Sequence, residues 1–428
     1  MRAVRVWRSV LGVAHTVVEK VELETQGGEE VLVATVRPTR SRQGRCGRCD
    51  CRSPRYDNGE GPRRWRGLDA GTTRVFLQAE APRVRCATHG VIVAAVPWAR
   101  HGSRFTSAFE DTVAWLACHA ALTVLAALLR ITWRSVAAVI TRVVTQRAAQ
   151  LDRLDGLRRI GVDEISYRKG HRYLLCVVDH DTGRLVWAAK GRDSETLRRF
   201  FDALGDQRSA LLTHISADGA EWIHTVASER APQAVLCLDA FHVVAWASAA
   251  VDAVRRSTWN QLRQDGKTDQ AKALKNSRWA LLKNPPNLTG DQRTTVAAIA
   301  KTNLPLYRAY LLKEQLREVF AAKGARGRQL LAGWLSWASR SRIPEFVVLA
   351  TTIKRFLPLI HNTLDHGVSN ALSEATNTHL RLLTRRAYGY HSADALIAMA
   401  TLTRGGLCPP LPGRSCYPRK QQEARTFG

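Results

Sequence analysis

The sequence predicts a multidomain chain. Its largest part is an α/β domain with a mixed five-stranded sheet and a helical insertion. A small β module and an all-α segment precede it. Three observations carry this. The chain has 428 residues, where one domain usually takes roughly 100–200. Its texture changes along its length, from short alternating strands, to helix over 105–150, to strands and helices in alternation over 158–245, and back to helix over 246–365. Its charge is lopsided: 64 Lys+Arg against 37 Asp+Glu, a net +27. Such a chain repels itself unless it meets something anionic, nucleic acid first and a membrane surface second. An apolar fraction of 45% and a charged fraction of 24% exclude a disordered or fibrous protein.

Residues 1–100 read as a β module. Val17–Leu23 and Glu30–Val33 alternate apolar and polar side chains around Gly27-Gly28, a hairpin pattern. Ten arginines lie between Arg37 and Arg66, and three of the nine cysteines fall among them. Cys46-Gly-Arg-Cys49 and Cys86-Ala-Thr-His89 are two close pairs on tight turns. Together they can supply the four donors that a tetrahedral Zn2+ needs. Cys51 is a competing ligand by position. Nine cysteines without a secretion signal argue against a disulfide framework, so a reducing cytoplasm is expected.

Residues 101–150 read as a helix-turn-helix. Thr123–Leu129 is the first helix and Ile131-Thr132-Trp133 the connection. Ser135–Val144 is the second, with Val136, Val139, Ile140 and Val143 on one face and Thr132 or Ser135 as its cap. Arg134 and Arg142 flank it as candidate DNA contacts. The apolar run Val113–Leu129 is broken by His119 and Thr123. It falls short of the roughly 20 residues that span a bilayer, so it reads as buried helix and no membrane partner is expected.

Residues 155–403 form the α/β domain, with the helical insertion at about 246–365; residues 404–428 are a basic, loose tail. The core begins with three meander strands (159–164, 173–178, 185–189) and a helix at 194–204. A strand at 211–216, a helix at 220–229 and a strand at 234–238 complete it. This is the topology of an RNase H-like sheet, in which the first and fourth strands are central neighbours. Asp163 and Asp218 then stand side by side. Adjacent carboxylates repel, and a divalent cation with hard oxygen preferences relieves that. Two such ions about 3.5–4 Å apart can drive phosphodiester chemistry. Asp239 competes with Asp218 at the end of the neighbouring strand, with His242 close by. Glu164 should face the other side of the sheet. A third carboxylate is expected from a helix over roughly 366–386, where Asn370, Glu374, Asn377 and Arg381 share one face.

Several segments resemble bacterial insertion-sequence DDE transposases of the ISL-three type: Gly161-Val-Asp-Glu-Ile-Ser-Tyr-Arg-Lys-Gly-His171, Asp239-Ala-Phe-His242, Ser369-Asn-Ala-Leu-Ser-Glu374 with Arg386-Ala-Tyr-Gly-Tyr390, and Leu274–Asn284. The resemblance implies a zinc finger, a helix-turn-helix and an RNase H-like catalytic domain, in that order. It implies a triad of Asp163, Asp218 and Glu374 holding Mg2+ or Mn2+, with Asp239, His242 and Asn370 as alternative or supporting residues. Zn2+ would sit on Cys46, Cys49 and Cys86, with His89 where the family commonly has cysteine. The partners implied are the element's terminal inverted repeats and target DNA, bound by at least a dimer, in the bacterial cytoplasm at the nucleoid. Arg168, Lys169 and Arg385 join Arg134 and Arg142 as expected backbone contacts. Two other readings remain: an inactive sequence-specific DNA-binding regulator, and a hydrolytic nuclease of the same fold.

Overall fold

The computed structural model describes residues 2–168, 170–368, 371–387, 390 and 392–414, without the side chains of residues 2–5, 8, 371, 373 and 374. Contacts divide the chain into two compact units, residues 1–152 with 383–428, and residues 153–382.

The first unit opens with α1 (Arg2–Leu11), which the alternating sequence did not suggest. Two long strands follow, β1 (Thr16–Gln26) and β2 (Glu29–Pro38), joined through Gly27 and Gly28. Both glycines have positive φ, 61° and 83°, as a tight hairpin requires. Next come β3 (Arg55–Asp57), β4 (Pro62–Arg66), β5 (Arg74–Glu80), β6 (Arg83–Cys86) and β7 (Gly90–Val93). They make a four-stranded sheet in the order β1-β2-β5-β4 and a three-stranded one in the order β3-β6-β7. The inward residues of the larger sheet pack around Trp65 and Trp98, whose rings meet edge to face at 5.6 Å.

Three helices complete this part: α2 (Ser107–His119), α3 (Leu122–Leu128) and α4 (Trp133–Gln150). Thr132 caps α4 by accepting from the Ser135 N–H, and Val136, Val139, Ile140 and Val143 are buried on one face, as the sequence pattern predicts. Among the described residues no single helix is long and apolar enough to cross a membrane. The pair α3 and α4 reaches the required length and composition only together, and is bent by 102° at the break.

The second unit carries the α/β sheet. Its strands are β8 (Arg159–Arg168), β9 (Arg172–Asp179), β10 (Leu185–Lys190), β11 (His214–Ala217) and β12 (Val235–Leu238). The order β10-β9-β8-β11-β12 makes β8 and β11 parallel central neighbours, with β9 and β10 antiparallel on one side and β12 parallel on the other. This is the mixed five-stranded RNase H-like sheet. Helices α5 (Ser194–Leu204), α6 (Asp206–Ser209) and α7 (Glu221–Arg230) connect the strands. One face of the sheet, with Ile160, Val162, Leu175, Val177 and Ile215, forms a core with Leu197, Phe200 and Phe201 of α5 and Ile223 and Val226 of α7.

The insertion is all helical: α8 (Ala240–Gln264), α9 (Thr268–Lys275), α10 (Arg278–Leu282), α11 (Gly290–Thr302), α12 (Leu304–Ala322), α13 (Gly324–Ser339), α14 (Pro344–Arg355) and α15 (Leu357–His366). It has its own core, centred on Leu312, Leu316, Trp334 and Phe346. Helix α15 covers β12, the edge strand. The Asn362 amide donates to the Leu236 carbonyl at 2.8 Å and the Thr363 hydroxyl to the Leu238 carbonyl at 2.6 Å. Backbone acceptors on an exposed edge are thereby satisfied.

Helix α16 (Ala371–Arg386) ends this unit, and α17 (Ala393–Arg404) packs against α2 and α4 in the first one. The sequence reading assigns 155–403 to one domain. By compactness, residues from 383 onward group with the N-terminal unit, where α17 buries Leu396, Met399 and Leu402.

Candidate active site and metal centre

Strand register sets the carboxylates out. Gly161, Ser216 and Cys237 are paired across β8, β11 and β12. Asp163, Asp218 and Asp239 each lie two residues beyond that row: Asp163 midway along β8, Asp218 and Asp239 just past the C-terminal ends of the parallel strands β11 and β12. In an open α/β sheet this is where ligands bind.

Asp163 is 7% exposed. Its Oδ1 accepts from the Glu164 N–H at 2.7 Å, and its Oδ2 accepts from the side-chain amide of Asn377 on α16. Burial pushes its carboxyl up from the usual range. The Glu164 N–H, the His242 charge and the Asn377 amide oppose that shift, and the Asp239 charge adds to it. Glu374 stands one turn before Asn377 on the same helix. The position brings α16 to Asp163, while the Glu374 side chain and all of Asn370 lie outside the described residues.

Asp239 is 3% exposed and caps α8. Its Oδ1 accepts from the Phe241 N–H at 3.0 Å and its Oδ2 from His242 Nδ1 at 2.7 Å. The Asp239 carboxylate pushes the imidazole of His242 up to about 9, helped by the charges of Asp163 and Asp218 and opposed by burial. Asp218 accepts from the Ala220 N–H at 3.0 Å, and its carbonyl is bonded to His224 Nε2 at 2.8 Å. The next residue, Gly219, admits no side chain: a Cβ there would lie 2.8 Å from Trp246 of α8. The turn after β11 is therefore pressed against α8.

Glu164 is ion-paired with Arg192. Burial, then the charge of Asp218, pushes its carboxyl up to about 7, against the pull of Arg192. Sequence reasoning set Glu164 aside and gave no signal for Arg192, which pairs across β-strands from a loop. Three aspartates, Glu164, one imidazolium and one guanidinium thus share this region. The donors are carboxylate oxygens, the hard type that Mg2+ or Mn2+ takes.

The expected basic contacts fall into different settings. Arg134 is exposed at the start of α4, Arg168 is exposed at the β8–β9 hairpin, and Arg385 is exposed in the last turn of α16. Lys169 lies outside the described residues. Arg142 is placed otherwise: its Nε donates to the fully buried Glu110 at 2.8 Å. The second helix of the pair turns this arginine inward because α2 carries a buried carboxylate that needs a partner.

In the N-terminal module the donor atoms of Cys46, Cys49, Cys86 and His89 all lie within 4.8 Å of one another. Cys46 Sγ is 3.6 Å from His89 Nδ1, Cys86 Sγ is 3.7 Å from His89 Nδ1, and Cys49 Sγ is 3.7 Å from Cys86 Sγ. Tetrahedral zinc, with bonds of about 2.3 Å to sulfur and 2.0 Å to nitrogen, sets neighbouring donors about 3.5–3.8 Å apart. The cluster fits Zn2+. The backbone N–H groups of His89 and Thr88 draw the Cys86 thiol down to about 6, which favours the thiolate that a metal binds. Cys51 is exposed and outside the cluster, while its carbonyl accepts from the Cys46 N–H at 2.9 Å.

An RNase H-like sheet with carboxylates at its strand ends, behind a Cys3His module and a helix-turn-helix, has the parts of an enzyme that acts on DNA. Comparison with known proteins specifies the class. Residues 160–400 match a family described as transposase. Residues 42–89 match the zinc-finger of transposase IS204/IS1001/IS1096/IS1165, and residues 94–144 the helix-turn-helix domain of transposase family ISL3. The chain is 52% identical to the transposase for insertion sequence element IS1557 of Mycobacterium tuberculosis, over 99% of this chain and all of that protein. It is 32% identical to the transposase for insertion sequence element IS1001 of Bordetella parapertussis, over 55% of this chain and 58% of that one. The chain belongs to the ISL3 family of transposases.

Proposed function

We propose that this chain moves an insertion sequence by cutting DNA at the element's terminal inverted repeats and joining the freed ends to target DNA. The observation that carries this reading is the row of Asp163 within β8 and Asp218 and Asp239 just past β11 and β12, with α16 brought to it by the Asn377–Asp163 hydrogen bond. Asp163, Asp218 and Glu374 would hold two divalent cations. Bound there, such ions activate a water or hydroxyl for attack on phosphorus and stabilise the leaving oxygen.

The protein's own residues have separable tasks. Asn377 fixes the rotamer of Asp163 from α16. Asp239 has both oxygens committed to the first turn of α8 and to His242, so its role is to position that imidazolium. His242 in turn offsets part of the charge that Asp163, Asp218 and Asp239 would otherwise direct at an incoming phosphate. No serine or tyrosine nucleophile is assigned. The Cys3His module and α4, with Arg134 at its exposed N-terminus, would read the repeats. Synapsis of two element ends requires a dimer or larger assembly.

The test is a cleavage and strand-transfer assay on DNA carrying the element's own ends, with Mg2+ or Mn2+. Asp163→Asn, Asp218→Asn and Glu374→Gln should each abolish cutting while leaving binding intact. Asp239→Asn should reduce cutting only in part. Wild-type cutting by a triad variant removes that residue from the triad. Cutting without joining of pre-cleaved ends would make the chain a nuclease, and metal-independent binding without cutting a regulator.

A further inference from the structure

The insertion carries a feature that neither its core nor the carboxylate site explains. Trp279 on α10 is 59% exposed. An exposed indole presents a flat aromatic face and a ring N–H to a partner. It is rigidly mounted. On one side Ser277 is fully buried and donates to the Leu274 carbonyl at 2.8 Å. On the other, Leu281 is fully buried and its carbonyl accepts from the buried Lys313 ammonium at 2.6 Å. The ring is therefore held outward by its neighbours.

Its surroundings are basic. Between residues 253 and 283 there are eight Lys/Arg against two acids, Asp265 and Asp269. Lys267, Lys272 and Lys275 are exposed, while Ala271 and Leu274 turn the other face of α9 into the core. Arg255, Arg256 and Arg278 gather around the single carboxylate of Asp252 at 2.8, 3.5 and 3.7 Å, which leaves a net positive patch. The Arg278 guanidinium also lies over the Trp279 ring at 5.4 Å. A membrane surface would need a broad apolar face, and apart from Trp279 and Ala273 the exposed residues of α9 and α10 are polar. Lysines that track phosphates beside an aromatic that offers a stacking plane describe an unpaired stretch of nucleic acid. Duplex DNA exposes a base face only where a strand end has frayed or been cut.

We propose that α9 and α10 form a second DNA-contact surface, in which Trp279 stacks on an unpaired base at a cut element end while Lys272 and Lys275 hold the adjoining phosphates. This rests on the transposase reading and extends it to the insertion. The full chain would be bound, without divalent metal, to two DNAs: element-end duplex with a short single-stranded overhang carrying 2-aminopurine, and the same duplex intact. Wild type should quench the fluorophore. Trp279→Ala should lose the quenching and bind the overhang DNA about tenfold more weakly, with intact duplex changed less than twofold. Trp279→Phe should keep most of the effect. Lys272→Gln with Lys275→Gln should lower the salt slope for the overhang DNA by about 1.4–1.8. Unchanged quenching in Trp279→Ala, or equal loss on both DNAs, overturns the proposal, as does loss of self-association alone, which would mark a protein contact. Should wild type fail to bind element ends at all, the transposase reading itself fails. If wild type binds and cuts but Trp279→Ala matches it throughout, only the role of the insertion falls.

Discussion

Replacing Glu110 separates a structural arginine from a DNA-binding one. Glu110 is fully buried in α2 and takes three partners: Arg142 Nε at 2.8 Å, Ser103 Oγ at 2.7 Å and Arg100 Nη1 at 3.2 Å. Breaking a buried charge cluster by removing one member costs about 3–5 kcal/mol, mostly from the charges left behind. Here Arg100 keeps Asp111 at 2.6 Å and Arg142 is 28% exposed, so the low end applies. Glu110→Ala should thus cost about 3 kcal/mol, and Glu110→Gln, which keeps an acceptor, about 1–2 kcal/mol. At about 2–4 °C per kcal/mol for a unit of this size, the alanine variant should melt about 6–12 °C lower in the transition of the N-terminal unit, followed by circular dichroism. Arg142→Gln should lower the same transition and couple to Glu110→Gln in a double-mutant cycle by at least 0.5 kcal/mol. Its salt slope for repeat DNA should match wild type. If instead Arg142→Gln melts normally and loses about one unit of salt slope, Arg142 is a phosphate contact and the reasoning fails.

Further expectations follow from other sites. Metal analysis should find one Zn2+ per chain in the N-terminal module. Chelation or Cys46→Ser should unfold that module and abolish repeat binding, while His89→Cys should retain the metal; a zinc-free protein with the same melting curve would refute the site. Arg134→Ala, at the exposed start of α4, should weaken repeat DNA and leave melting unchanged, measured by anisotropy and calorimetry. Lys313→Met should destabilise the second unit by about 1–3 kcal/mol in urea, because the Leu281 carbonyl loses its buried donor. Lys313→Ala should cost more, since it also leaves a cavity.

What the sequence disclosed and what it hid follow from range. The strands β8 to β12 and α5 were readable because short apolar runs separated by turn residues act over a few residues. The Cys46–Cys49 and Cys86–His89 pairs were readable because metal chemistry demands local spacing. Helix α1 was not, since its apolar positions Val4, Val6 and Val10 also satisfy a strand-like alternation. The fate of Arg142 was hidden because its partner sits 32 residues earlier in another helix. Arg192 and Glu164 were hidden for the same reason. Asn377 was visible as a member of a polar helix face, but only the fold shows that the face meets Asp163.

The positive excess can be resolved in the same terms. Several arginines are internal counter-ions: Arg100 and Arg142 to Glu110, Arg192 to Glu164, Arg255 to Asp252. Those charges are spent within the protein and add little to its outward field. Other basic residues stay exposed, among them Arg134, Arg168, Arg385 and the lysines of α9. The carboxylate row is a negative island in the same chain, and a phosphodiester approaching it is repelled unless cations intervene. His242 is a positive group beside the three aspartates, held by Asp239. On the proposed two-cation reading, the carboxylate row would take up a phosphodiester only with metal bound. On that reading the basic surfaces would supply the binding energy, and the carboxylates the chemistry.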